Sequence, residues 1–75
     1  MKTIVELFNE KKECVLEKVF EDDDIGKAIA YIKEKGELFY DGCRLYYKVR
    51  CDDSEDCIIG GYDGSQWYDL AVVDE

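Results

Sequence analysis

Carboxylates are the residues best equipped for chemistry in this chain, and they are concentrated. Residues 52–56 read Asp-Asp-Ser-Glu-Asp, and residues 22–24 are three consecutive aspartates. Such runs can bind a divalent cation, supply an acid–base pair, or present charge to a basic partner. The first two uses need more than charge. A calcium loop of the EF-hand type has a central Gly and a terminal Glu within about twelve residues, which residues 52–56 lack. A hydrolytic carboxylate pair needs a cleft, which a chain this short rarely builds. Cys14, Cys43, Cys51 and Cys57 are separated by 28, 7 and 5 residues, with no CxxC and no His to complete a zinc set. Phosphate-cradling loops, dinucleotide fingerprints and nucleophile elbows are missing too. Neither an enzyme nor a resident metal or cofactor is therefore expected. The cysteines are expected to be packing residues in a reducing compartment, with a Cys51–Cys57 bridge across two strands left open.

The remaining use of the carboxylates is docking. The net charge is −9, and it is unevenly spread. Residues 1–50 hold 11 acids and 10 bases, whereas residues 51–75 hold 8 acids and no base. Solubility alone does not require that asymmetry, which points the C-terminal third at a basic partner surface, the alternative being a solvated acidic face with no partner. Direct binding of nucleic acid or an anionic membrane through that surface is not expected. A basic-aromatic stripe, Arg44, Lys48 and Arg50 with Phe39 and Tyr46, offers a second, weaker route to single-stranded nucleic acid. The candidate partner-binding residues are Asp52, Asp53, Glu55 and Asp56 in the acidic run, and Tyr62, Asp63, Trp67 and Asp69 beyond it. Tyr62, Trp67 and Asp69 are expected on the outer face of the sheet, as aromatic anchors among acids.

The elements that must position these residues follow from periodicity and turn chemistry. Seventy-five residues make one domain, residues 1–75, with ten aromatics and 47% apolar content for a core. There is no secretory segment and no apolar run near the ~20 residues needed to span a bilayer, so a cytoplasmic protein is expected. Residues 22–36 form the one convincing helix. Aspartates precede it, Lys33 and Lys35 lie in its last turn, and Gly36 is placed to leave it with positive φ. Ile25, Ala28, Ile29 and Ile32 make one apolar stripe. Residues 2–8 and 13–20 read as a hairpin around a polar turn, with Thr3, Val5 and Leu7 on one face and Ile4 and Phe8 on the other. A strand apolar on both faces is expected inside the sheet.

Asp41-Gly42 and Asp63-Gly64 are two-residue hairpin signals. The first predicts strands over 37–40 and 43–52, with Leu38, Tyr40, Cys43, Leu45, Tyr47, Val49 and Cys51 inward. The second predicts strands over 57–61 and 66–73, with Cys57, Ile59, Tyr68, Leu70 and Val72 inward and Trp67 across from Gly60. Leu16 and Phe20 are expected to complete the core. The fold class is α+β: a single helix packed on a mostly antiparallel five- to six-stranded sheet, in the order ββα and then a β-meander.

Residues 1–36, two strands and a helix opened by acids, resemble the first half of a ubiquitin-like β-grasp domain. The only Gly-Gly pair, Gly60-Gly61, is internal, so conjugation does not carry over. Residues 25–70, with ELFYDGCRLYYKVR, DDSED and IIGGYDGSQWYDL, resemble small phage-encoded anti-CRISPR and other anti-defence proteins. That resemblance implies a cytoplasmic inhibitor that mimics nucleic acid and occupies the basic surface of a nucleic-acid-binding host complex. The alternative is an adaptor module of β-grasp-like fold, monomeric or homodimeric, with no catalytic role.

Overall fold

The computed structural model describes residues 2–52 and 56–74, with backbone alone for 56 and 70–74. The elements are β1 (Thr3–Phe8), β2 (Cys14–Phe20), α1 (Ile25–Gly36), β3 (Leu45–Cys51), β4 (Asp56–Tyr62) and β5 (Trp67–Asp74), with a 3-10 turn at Glu37–Phe39. The five strands form one sheet in the order β2-β1-β3-β4-β5, and every neighbouring pair is antiparallel. This is the expected α+β class: one helix on an antiparallel sheet, ββα and then the meander β3-β4-β5. Among the described residues no helix is long and apolar enough to cross a membrane.

The first hairpin forms as its pattern dictates. Asn9 holds the turn, its Oδ1 accepting from the backbone N–H of Lys11 and Glu13. The two-faced apolar strand β1 lies between β2 and β3. Thr3, Val5 and Leu7 are buried beneath α1, while Ile4, Glu6 and Phe8 face the other way. The core is Val5, Leu7, Ala28, Ile32, Leu45, Tyr47 and Val49, with Leu16, Phe20, Ile25, Ile29 and Trp67 packed around it. Asp24 caps α1, its side chain accepting from Lys27 N at 2.9 Å.

Four expectations are corrected. First, Gly36 does not leave the helix with positive φ. Its φ is −65°, and the chain runs on into the 3-10 turn. Glycine is needed there for space: a Cβ would sit 2.8 Å from the Trp67 ring and 3.2 Å from Leu7. Second, residues 37–40 are not a strand, and no hairpin forms around Asp41-Gly42. Asp41 Oδ1 accepts from Cys43 N and shapes a local bend, while β3 finds its partners in β1 and β4 instead. Leu38 is therefore 81% exposed rather than in the core.

Third, the second turn is displaced by one residue. Asp63 N donates to Gln66 O, and Asp63 Oδ1 accepts from the N–H of Ser65 and Gln66. Gly64, with φ +98°, and Ser65 become the central pair, and Tyr62 opposes Trp67.

Fourth, β4 is inverted relative to expectation. Arg50 opposes Cys57, so Cys57 shares the outer face with Arg50, and Ile59 shares it with Lys48. Tyr68, paired with Gly61, faces outward too. Gly60 lies on the inner face, where a Cβ would stand 2.4 Å from the Tyr47 ring, so Tyr47 rather than Trp67 covers it. Cys51 and Cys57 thus point to opposite faces, which rules out a bridge between them, and neither is in a disulfide. Side chains of Leu70 and Val72 lie outside the described residues.

Candidate functional site

The predicted docking residues divide between the two ends of β4. With a rise of ~3.3 Å per residue, that strand separates its ends by about 20 Å. Asp52 lies just before β4, Asp56 opens it, and Asp53 and Glu55 lie outside the described residues. Tyr62 closes β4, Asp63 is in the turn, and Trp67 and Asp69 are on β5. Tyr62, Trp67 and Asp69 share a face as expected, but it is the helix-bearing face rather than the outer one.

At the first end, the structure brings Asp52 to the acidic run Asp22–Asp24, from which the sequence separates it by about thirty residues. The buried Thr3 hydroxyl donates to Asp22 O at 2.8 Å and accepts from Asp24 N at 3.2 Å. Cys51 Sγ donates to Asp23 Oδ1 at 3.1 Å, and Lys2 N donates to Asp52 Oδ1 at 3.1 Å. Thr3 and Cys51 pair across β1 and β3, so the start of α1 is anchored directly over the end of β3. Asp22, Asp23, Asp24 and Asp52 are all exposed there. Lys27 pairs with Asp22 at 3.1 Å, and Lys2 approaches Glu21 at 4.0 Å. The backbone pairing of Asp56 with Asp74 places both residues at this same end of the sheet. It forms an acidic pole. Among the described residues no group of three or more His, Cys, Asp or Glu side chains is arranged to hold a metal ion.

At the second end, rings replace carboxylates as the organising groups. Trp67 stacks on Tyr62 with centroids 4.6 Å apart, Tyr40 meets Tyr62 edge-on at 5.3 Å, and Tyr47 lies 6.0 Å from Trp67. Their polar tips are all engaged. Trp67 Nε1 donates to Glu37 Oε1, Tyr62 Oη to Gly64 O, and Tyr47 Oη to Asp69 Oδ1. Burial, then the hydrogen bond to Asp69, raises the Tyr47 phenol well above its ordinary value. The N–H groups of Gln66 and Ser65 hold the Asp63 carboxyl below its ordinary value, so it stays ionised. Next to this cluster the 3-10 turn displays Leu38 at 81% and Phe39 at 42% exposure. Glu37, Asp41, Asp63 and Asp69 are among the exposed acids of this end.

Residue-type patterning places Leu38 in the core and Phe39 in a sheet stripe, and so misses their display on a turn, because alternation assigns 37–40 to a strand. It also treated Asp22–Asp24 only as a helix cap. The signal for the second was a β-branched polar residue, Thr3, at a buried strand position beneath a helix start, which needs hydrogen-bond partners there.

The basic-aromatic stripe is altered as well. Tyr46, Lys48 and Arg50 share the outer face of β3, but Phe39 is elsewhere, and Phe8 opposes Tyr46 instead. Phe8 and Tyr46 floor an open cavity of about 470 Å³ rimmed by Glu10 and Lys12. Arg50 lies 3.9 Å from Glu6. Acids and bases thus alternate on that face, and it has no uniform sign.

Comparison with protein-family models, with curated proteins and with solved structures gives no match to this chain.

Proposed function

We propose that this chain is a non-catalytic cytoplasmic binding protein that docks on a basic protein surface, acting as an inhibitor of the anti-defence kind. In this reading the acidic pole steers approach to an Arg/Lys-rich, nucleic-acid-binding surface. The aromatic end supplies the anchor. One observation carries the reading: Leu38 and Phe39 are held in solvent at 81% and 42% exposure, next in the chain to the exposed acid Glu37. Large apolar groups on a rigid, acid-flanked knob suit an apolar pocket with a basic rim, and clustered acids accelerate encounter with such a surface.

The test is capture by the immobilised chain from a cell lysate, with a DNA duplex as competitor. A partner whose nucleic-acid surface is occupied is released by the duplex and by raised ionic strength. Each rim charge contributes only about 0–1 kcal/mol, so several are removed together. Neutralising Asp52, Asp53, Glu55 and Asp56 to Asn or Gln leaves the fold intact and slows association. Equal association rates for this variant and the parent at low salt would remove steering from the account.

A further inference from the structure

The sheet has two edges, and they are built differently. β2 carries Glu17 and Lys18 in the middle of a seven-residue strand, and its pairing with β1 is interrupted by a register shift at Leu7/Phe8. Interior charge, Lys above all, and irregular pairing are the usual protections of an exposed edge. β5, at the other edge, is eight residues long and reads Trp-Tyr-Asp-Leu-Ala-Val-Val-Asp. It has no Lys, Arg or Pro, and its only charges are Asp69 and Asp74. One register shift, opposite Ile59/Gly60, interrupts its pairing, and Trp67–Asp69 before it pairs regularly with β4.

The turn fixes which backbone groups face the open side. Asp63 N donates to Gln66 O, so that pair is hydrogen-bonded. Antiparallel pairs alternate, which makes Tyr62–Trp67 and Gly60–Asp69 the pairs without mutual bonds. The N–H and C=O of Trp67 and Asp69 therefore point away from β4, towards the free edge. Their side chains lie on the helix-bearing face, two residues apart.

We infer that β5 is a docking edge, joined as a sixth strand by an extended segment of the partner that carries Lys or Arg. This rests on the proposed basic partner and names how it is engaged. Charge selects the occupant. Every side chain of β5 and its turn that is charged at neutral pH is a carboxylate, Asp63, Asp69 and Asp74. A second copy paired along β5 brings this acidic strand against itself, whereas a basic strand is attracted. Backbone bonds to Trp67 and Asp69 supply affinity, and the two side chains supply selection: an apolar residue against the Trp67 ring and a basic one against Asp69, two positions apart. Tyr47 occupies only Oδ1 of Asp69, and the carboxylate has further acceptor sites.

The experiment uses the full ¹⁵N-labelled chain and a capped synthetic peptide, Thr-Val-Thr-Lys-Thr-Val-Thr-Arg-Thr, which places apolar and basic residues two positions apart on one face. Saturation with peptide slows amide exchange of Trp67 and Asp69 by at least about tenfold, and binding weakens as salt is raised. The fully N-methylated peptide keeps every side chain but cannot pair, and it does not bind. The Glu-for-Lys/Arg peptide does not bind either. Equal binding of the N-methylated peptide, or no protection at Trp67 and Asp69, would overturn the inference. So would salt-strengthened dimerisation of the chain protecting the same amides without peptide, which would give the edge to a second copy. If the peptide fails here while substitution of Leu38 and Phe39 still abolishes partner capture, the edge inference falls and the proposed function stands. If the peptide pairs with β5 while those substitutions change nothing, the anchor falls and the edge stands.

Discussion

At its N-terminal end α1 is seated on hydrogen bonds, and at its C-terminal end it is seated on rings. Over β1 and β3 the start of the helix is held by Thr3, Asp24 N, Asp22 O and the Cys51–Asp23 contact, with the three aspartates still exposed. Twelve residues later, Gly36 lets the Trp67 ring and Leu7 come against the backbone. The difference separates two jobs. A polar seat can hold a helix while leaving charge exposed for steering. A packed seat fixes the 3-10 turn that follows it, and so fixes where Leu38 and Phe39 stand.

If the two seats differ in this way, truncating the ring is the most damaging single change. Trp67→Ala removes a stack with Tyr62, the contact at Gly36 and the bond to Glu37, and should cost about 2–4 kcal/mol. Chemical denaturation measures it; a loss below about 1 kcal/mol would mean the ring is not a seat. Thr3→Val, nearly isosteric, strands Asp24 N and Asp22 O and should cost about 1–2 kcal/mol.

The two helix glycines sharpen the contrast. A Cβ at Gly26 meets nothing closer than Asp24 Oδ1 at 3.5 Å, so Gly26→Ala should stabilise by up to about 1 kcal/mol. Gly36→Ala forces the Trp67 ring aside from 2.8 Å and should destabilise by about 1 kcal/mol or more despite the same propensity gain. Equal effects at both glycines would erase the distinction.

The smallest effect is electrostatic. The folded-state value of Asp63 is depressed by the N–H groups of Gln66 and Ser65, so its contribution is complete above the ordinary carboxylate range and is lost as pH falls through the lowered value. Thermal midpoints of the parent and Asp63→Ala should therefore converge in acid and separate towards neutral pH. A gap independent of pH would assign Asp63 no such role.

The parts of the fold legible from sequence are those set by local chemistry. An aspartate cap, the Ile25/Ala28/Ile29/Ile32 stripe and the interior position of β1 depend on neighbours within a turn or on a two-faced pattern, although the helix starts at Ile25 rather than at Asp22. The inner face of β3 was readable from alternation alone. What failed depended on counting across turns. Asp-Gly is a hairpin signal only when two strands meet there, and at Asp41-Gly42 the preceding segment stays helical because Gly36 is pinned by Trp67, thirty-one residues away. At the other hairpin the carboxylate of Asp63 binds the N–H groups of 65 and 66, which places Asp63 before the turn rather than inside it. The face of β4 follows from Arg50 opposing Cys57, a register that residue types around the acidic run do not specify. The candidate site shares these errors: its aromatic and acidic members were chosen by type, but their division between two ends, and the display of Leu38 and Phe39, depend on those same counts.

The most direct measurement of the account is the Leu38→Ser/Phe39→Ser double variant, assayed for stability and for capture of the DNA-displaceable partner. Leu38 is 81% exposed and Phe39 42%, so surface substitution there should leave unfolding free energy within about 0.5–1 kcal/mol of the parent. Loss of the anchor should speed dissociation of the partner by at least about tenfold while leaving the association rate and its salt dependence nearly unchanged. A variant that folds as the parent does and releases the partner no faster would contradict the claim that the aromatic end is the anchor of a docking surface.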